Sequence, residues 1–328
     1  MSILRGWLRS FIGNRTAPVI LMYHRIAVVD CDPWSLAVDP EAFALQLAQL
    51  RGLRRVLPLA EFVELHRDGK LPANAAAITF DDGCVCNSVA AAPILSRYGL
   101  PATFFLTTGM IGSQEEFWWD ALERIVFDPA AGEGAVVRLG PREIRVELGK
   151  ESEGLEVKRA WRALAAPPST LRQQSYELLW SALKHQPADI QEAVLKDLAA
   201  QVGSRIGPRS THIPMTIEQA VTLAATPGFD IGGHTVDHVS LPGLDAAQQL
   251  RQIRNSRRTC ENWAGRHCRS FAYPYGDFAP LTLDCAAEAG LSAAVTTQHA
   301  AVWTRDSMMA LPRIAVTRRN VLEHLQSV

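Results

Sequence analysis

Apolar and polar positions along this chain follow two alternating rhythms. Residues 18–23 (PVILMY), 75–80 (AAAITF) and 101–106 (PATFFL) are short, nearly unbroken apolar runs, the pattern of strands buried on both faces. Between them lie helix-length stretches with apolar residues three and four apart. Residues 40–52 place Phe43, Leu47 and Leu50 on one face, residues 61–67 form a second such stretch, and residues 87–98 run as a helix to Gly99. Further on, the pattern predicts helices near 217–225, 246–264 and 281–289, and strands near 229–231, 270–273, 292–296 and 313–316. Strand-then-helix alternation predicts a parallel sheet with helical crossovers. About seven strand–helix units can be counted, one short of a full eightfold barrel. The expected fold class is therefore α/β, as a distorted or incomplete barrel.

The alternation breaks from Gly112 to about residue 209. The sequence there is charged and helix-prone, with a Gly/Pro-punctuated patch at 128–134, then Gly140 and Pro141, and a helical run at 171–183. It also carries Trp118, Trp119, Trp161 and Trp180, so it reads as an insertion subdomain and not a linker. The expected organisation is an N-terminal segment, 1–15, a barrel from 16–111 and 211–328, and an insertion, 112–210. In the first segment, Ile3, Leu4, Trp7, Leu8, Phe11 and Ile12 recur at helical spacing among Arg5, Arg9 and Arg15. That suits an amphipathic helix on an anionic membrane surface, and more simply a helix packed on the barrel or on a second copy. There is no secretory pattern, and no run of the roughly 20 apolar residues that span a bilayer. The expectation is a cytoplasmic protein, with residues 3–12 offering peripheral contact to the inner membrane.

Composition narrows the function classes. Of 328 residues, 48% are hydrophobic and 20% charged, which excludes a disordered chain. A net charge of −1 gives no basic field, so no nucleic-acid partner is expected. The six cysteines, Cys31, Cys84, Cys86, Cys260, Cys268 and Cys285, include no CxxC pair and read as reduced thiols. Cys84 and Cys86 flank a candidate site, where they offer sulfur to an adventitious metal.

Four motifs carry candidate chemistry, each at the end of a predicted strand, where barrel enzymes place their reacting groups. Thr79-Phe80-Asp81-Asp82-Gly83 sets two carboxylates side by side, which is costly unless a cation or a proton separates their roles. Asp-Asp-Gly is also a common turn. His234-Thr235-Val236-Asp237-His238 spaces two imidazoles so that they can converge on one metal. Alternatively, they are core or solvent-facing histidines. Phe271-Ala272-Tyr273-Pro274-Tyr275-Gly276 fixes a loop and offers rings to a sugar face, and His24 ends the first strand.

Together and in this order, the four motifs resemble those of the polysaccharide deacetylase family, the NodB-homology carbohydrate esterases, in an exopolysaccharide-deacetylase-like variant with a long insertion. The resemblance covers residues 18–109 and 216–316. It implies a distorted (β/α)7 barrel of the NodB-homology type with a helical insertion. It implies hydrolysis of N-acetyl groups on a polysaccharide, an oligosaccharide or a lipid-linked sugar, so the expected partner is an N-acetylated glycan. By this resemblance Asp81 is the general base. Asp82, His234 and His238 hold a divalent metal, zinc ahead of cobalt or nickel, and the Tyr275 N–H, after Pro274, helps hold the oxyanion. Many members carry an arginine two residues before that proline; here the position is Ala272, and Arg313 is the expected substitute. No C-terminal Leu-x-His motif supplies a general acid, and His24 resembles the variant that places it near the N-terminus. Trp118 and Trp119 are candidates for stacking on sugar rings, or else a core pair anchoring a helix. The competing readings are a hydrolase of another non-peptide C–N bond, amide or ureide, and a catalytically silent glycan-binding protein.

Overall fold

The computed structural model describes residues 17–150, 154–165, 167–205 and 207–317. The N-terminal segment, and with it the membrane contact expected of residues 3–12, lies outside the described residues. Among the described residues, no helix is long and apolar enough to cross a membrane. The described chain divides into two compact units. One takes the chain up to Val28, Ala37–Ile111 and the chain from Met215 onward; the other takes Val29–Leu36 and Gly112–Pro214.

The first unit is a closed parallel barrel of seven strands: β1 (Val19–Tyr23), β2 (Ala75–Phe80), β3 (Ala102–Leu106), β4 (Phe229–Gly233), β5 (Ser270–Ala272), β6 (Ala293–His299) and β7 (Leu311–Ala315). Neighbours in sequence pair in order around the ring, and β7 returns to β1 with Leu21 opposite Ile314. The expected distortion has two visible sources. The ring has seven strands and not eight, and the register shifts between β6 and β7 after Val295. A two-residue strand, Arg55–Val56, pairs with the start of β2.

Six helices follow the strands: α1 (Pro40–Leu53), α2 (Leu59–Arg67), α3 (Ala92–Tyr98), α4 (Ile217–Ala225), α5 (Ala246–Ala264) and α6 (Pro280–Glu288). Their boundaries have local causes. Asp39 caps α1 by accepting from the Ala42 N–H at 2.8 Å, and Thr216 and Asp245 open α4 and α5 with reciprocal capping boxes. Gly99 and Gly265 close α3 and α5 in the left-handed conformation. The helix expected over 87–98 begins with one wider, π-wound turn at Asn87–Ala91 before α3.

The period of two splits each strand between two cores. Val19, Leu21 and Tyr23 of β1, Ala76, Ile78 and Phe80 of β2, and Ala102, Phe104 and Leu106 of β3 pack with α1, α3 and α4. Ile20, Ala75, Ala77, Phe105, Ala272, Val295 and Leu311 form a second cluster with Leu57, Leu59, Phe62 and Val63. The rings of Tyr23, Phe80 and Phe104 run in file across three adjacent strands, with centroids 5.3 and 5.0 Å apart.

The second unit is helical, as expected, but also holds a hairpin, Gly134–Leu139 with Arg142–Glu147, that turns at Gly140 (φ 57°). Only Val137, Ile144 and Val146 of its alternating pattern are fully buried apolar residues, a signal too short to stand out within charged sequence. Trp118 and Trp119 head the helix Trp118–Val126 and are buried in this unit's own core. Trp119 stacks on Phe117 at 4.7 Å and Trp118 lies 6.0 Å from Trp180.

Because Phe80 is fully buried within this file of rings, Phe80→Ala is expected to lower unfolding free energy by about 3–5 kcal/mol. Urea denaturation of both chains measures this.

Candidate active site

All four motifs leave the barrel at the same end, the C-terminal end of the strands. On β2 the inward set Ala75, Ala77 and Thr79 continues directly into Asp81. The Asp81 N–H donates to the Tyr23 carbonyl at 3.0 Å, and the Gly83 N–H returns to the Asp81 carbonyl at 2.9 Å. The reversal puts Asp82 at φ 72° and Gly83 at φ 87°. The positive φ favours glycine at 83, and a Cβ there would also press on the tip of the Ile111 side chain at 2.8 Å. Both carboxylates are thereby turned inward, 2% and 4% exposed.

Arg313 lies on the neighbouring part of the barrel wall and is fully buried. Its guanidinium grips Asp81 with two hydrogen bonds, Nη1 to Oδ1 at 2.7 Å and Nη2 to Oδ2 at 2.6 Å. Nη1 also donates to Thr79 Oγ1 at 3.1 Å, and Nε to the Thr296 carbonyl at 2.8 Å. Ala272, where an arginine was expected from the family pattern, is fully buried and contributes only its carbonyl. Burial by itself would push the Asp81 carboxyl up. The Arg313 charge and its hydrogen bonds, helped by His234 and His24, more than offset this and hold it below the usual carboxylate range.

Asp82 faces the two histidines. His234 Nε2 is 3.4 Å and His238 Nε2 3.3 Å from Asp82 Oδ1. One ligand atom from each of the three residues lies within 4.8 Å of the others, and all three residues are buried. His234 Nδ1 lies 2.8 Å from the Ala272 carbonyl. A carbonyl only accepts, so Nδ1 carries a proton, and Nε2 is the ring nitrogen turned toward Asp82. Two imidazole nitrogens and one carboxylate oxygen, with one imidazole oriented from behind, form a donor set that can hold a divalent cation. Burial pushes the Asp82 carboxyl up, but hydrogen bonds from His234 and His238 outweigh it and hold the group well below its ordinary value. Burial lowers His238, against the attraction of Asp82.

His24 also approaches the carboxylate pair, its Nε2 4.0 Å from Asp81 Oδ2 and its side chain 17% exposed. Burial and Arg313 lower its pKa, against the pull of Asp82 and Asp81. Tyr275 sits at φ 59° in the turn Pro274–Gly276. Its ring meets His238 edge-on at 4.7 Å. Gly276 has no alternative, since a Cβ there would strike Thr297.

The structure thus gathers Asp81, Asp82, His234, His238, His24, Tyr275 and Arg313. Trp118 and Trp119 belong to the second unit and are described with its core above. Sequence reading missed Asn87, fully buried, whose Nδ2 donates to the His24 carbonyl at 2.8 Å and ties the post-Gly83 turn to the first motif. Its position at the head of a predicted helix gave no hint of that contact. All six cysteines are buried thiols outside disulfides, and Cys84 and Cys86 bring their sulfurs to 3.1 Å.

Residues 68–131 and 194–294, just over half of the chain, match the family described as polysaccharide deacetylase. YxkH of Bacillus subtilis (strain 168), which is named as a polysaccharide deacetylase, is 29% identical over 123 residues, 38% of this chain and 43% of that protein. The match therefore spans less than half of that relative. The fold is similar to those of the Streptococcus pyogenes deacetylase PplD, solved in complex with acetate, and of IcaB from Ammonifex degensii. PplD aligns at TM-score 0.59 and 19% identity over 94% of this chain and 98% of its own. IcaB aligns at 0.57 and 19% over 95% and 97%. Because the family's sequence pattern matches just over half of the chain, the chain belongs to the polysaccharide deacetylase family.

Proposed function

We propose that the chain is a metal-dependent hydrolase that removes N-acetyl groups from a polysaccharide, an oligosaccharide or a lipid-linked sugar. The observation that carries this reading is the convergence of Asp82, His234 and His238 beside an Asp81 held ionised by Arg313. A module that only binds glycan needs neither group.

Asp82, His234 and His238 would hold the cation, with zinc the best fit to the donor set. When bound, a divalent cation supplies Lewis acidity, lowering the pKa of water and polarising a carbonyl. The remaining work falls to side chains of the chain itself. Asp81 accepts the proton of the water that attacks the acetyl carbonyl carbon, and its low pKa keeps it ionised and ready to do so. Arg313 uses one lone pair on each carboxylate oxygen and leaves others for the water. Pro274 and Gly276 fix the turn that presents the Tyr275 N–H, which would donate to the oxygen as it gains charge. The C–N bond then breaks, and the amine leaves with a proton from His24. The lowered pKa of His24 makes it a ready donor once protonated. Acetate and a free amino sugar are the products.

The test is purification with metal analysis, followed by acetate release from N-acetylglucosamine oligomers, exopolysaccharides and lipid-linked sugars. Asp81→Asn and His24→Ala are expected to lose about 10²–10⁴-fold in kcat while zinc stays bound. Asp82→Ala and His234→Ala are expected to lose zinc as well. Full activity in D81N overturns the base assignment, and bound zinc without turnover on any glycan favours a silent binding protein.

Arg313→Ala leaves burial unopposed at Asp81, so its pKa rises. Because Asp81 acts when ionised, the acid limb of the pH–rate profile is expected to move to higher pH, with kcat falling about 10²-fold or more. Arg313→Lys keeps a charge but not the two-pronged grip, and should fall between. A pH–rate profile unchanged in R313A removes Arg313 from the mechanism.

A further inference from the structure

The loop that carries the two histidines is not a relaxed one. Thr235 and His238 sit at φ 61° and 54°. Left-handed backbone at a non-glycine residue costs of order 1–3 kcal/mol and is least tolerated by a β-branched one. Something must hold this conformation. From the barrel side, the Thr108 N–H donates to the Thr235 carbonyl at 3.2 Å and the Gly109 N–H to the Val236 carbonyl at 2.9 Å. A side chain on Gly109 would strike that Val236 carbonyl at 2.7 Å.

From the helix side, one side chain contributes three hydrogen bonds. Gln252 Oε1 accepts from the Val236 N–H at 2.9 Å and the Asp237 N–H at 3.2 Å. Its Nε2 donates to Asp237 Oδ2 at 2.6 Å. Gln252 is the third member of a stripe on α5 that follows the chain out of the barrel. Cys260 donates to the Gly232 carbonyl at 3.3 Å, and Ser256 Oγ lies 2.7 Å from where a Cβ of Gly233 would be. Spaced four apart, residues 260, 256 and 252 climb one helical face alongside β4 and end on the histidine loop.

We propose that Gln252 is a positioning residue: its carboxamide clamps Val236 and Asp237 and so fixes the spacing of His234 and His238 as ligands. The inference rests on the reading of Asp82, His234 and His238 as a cation site. The chemistry demanded at 252 is narrow, because the same side chain must accept from two N–H groups and donate to a carboxylate. A carboxamide does both from two separate atoms, an oxygen with two lone pairs and an NH2 group, and glutamine has the reach. Glutamate would accept but would face the Asp237 charge.

The experiment uses the full chain and zinc alone, with affinity read by competition against a chromogenic chelator and fold by urea denaturation. Gln252→Ala is expected to bind zinc about 10–100-fold more weakly, the usual loss when a group supporting a ligand is removed, with little change in unfolding midpoint. Gln252→Glu is expected to weaken binding too. The pair Q252E/D237N, which exchanges donor and acceptor, should recover affinity to within about threefold of the parent. A Q252A affinity within about twofold of the parent, or no recovery in the pair, overturns the proposal. If Q252A does not fold, Gln252→Asn, which keeps polarity but shortens the reach, replaces it under the same criteria. A parent that binds no zinc removes the cation reading itself. The clamp is then judged by amide hydrogen exchange at Val236 and Asp237 in the cation-free chain, which should quicken in Q252A; unchanged exchange overturns the clamp.

Discussion

A guanidinium with no exposure to water dominates the interior of this barrel. Burying an isolated charge is prohibitive, and a buried ion pair is tolerated only when nearly every donor and acceptor is matched. Arg313 meets that condition through Asp81, Thr79 and the Thr296 carbonyl. The partners come from β2, its C-terminal turn and β6, while Arg313 itself comes from β7. One side chain therefore ties the closing strand of the ring to the strand that bears the paired aspartates. The small inward residues Ala75, Ala77, Ala272 and Ala293 take up little of the interior that it occupies.

The same pair sorts the roles of two adjacent carboxylates. Asp81 is satisfied by an arginine and Asp82 by two imidazoles, so neighbours in sequence sit in different electrostatic surroundings. That division requires an abrupt backbone. Among the described residues, six that are not glycine have positive φ, and four of them, Asp82, Thr235, His238 and Tyr275, lie in the site. Strain concentrated in this way marks a constellation fixed by its surroundings and not by local preference. The surroundings include the Gly109 and Thr108 amides, the Ala272 carbonyl and the compact turn that Gly276 allows.

Much of this was legible in the chain. The apolar runs marked six of the seven barrel strands to within a residue or two at each end. The motifs at their ends located every member of the cluster around Asp82. Arg313 was legible only as a substitute for something missing at 272, since its own setting, Leu311-Pro312-Arg313, carries no sign of where the side chain reaches. The hairpin at 134–147 was not legible, because a few alternating apolar positions do not stand out in charged sequence. Asn87 and Gln252 were invisible for a related reason: each acts through hydrogen bonds to backbone far along the chain, and backbone groups leave no residue-specific trace in sequence.

The sequence by itself determined which groups are present and at which strand ends they emerge, because hydrophobic periodicity and turn chemistry are local properties. It could not determine which group pairs with which. Asp81 and Arg313 are 232 residues apart, and Asp82 meets His234 only once β2, β3 and β4 lie side by side. Those partnerships, and the pKa directions that follow from them, depend on distances of a few ångströms in a water-excluded interior. Only the folded barrel sets such distances.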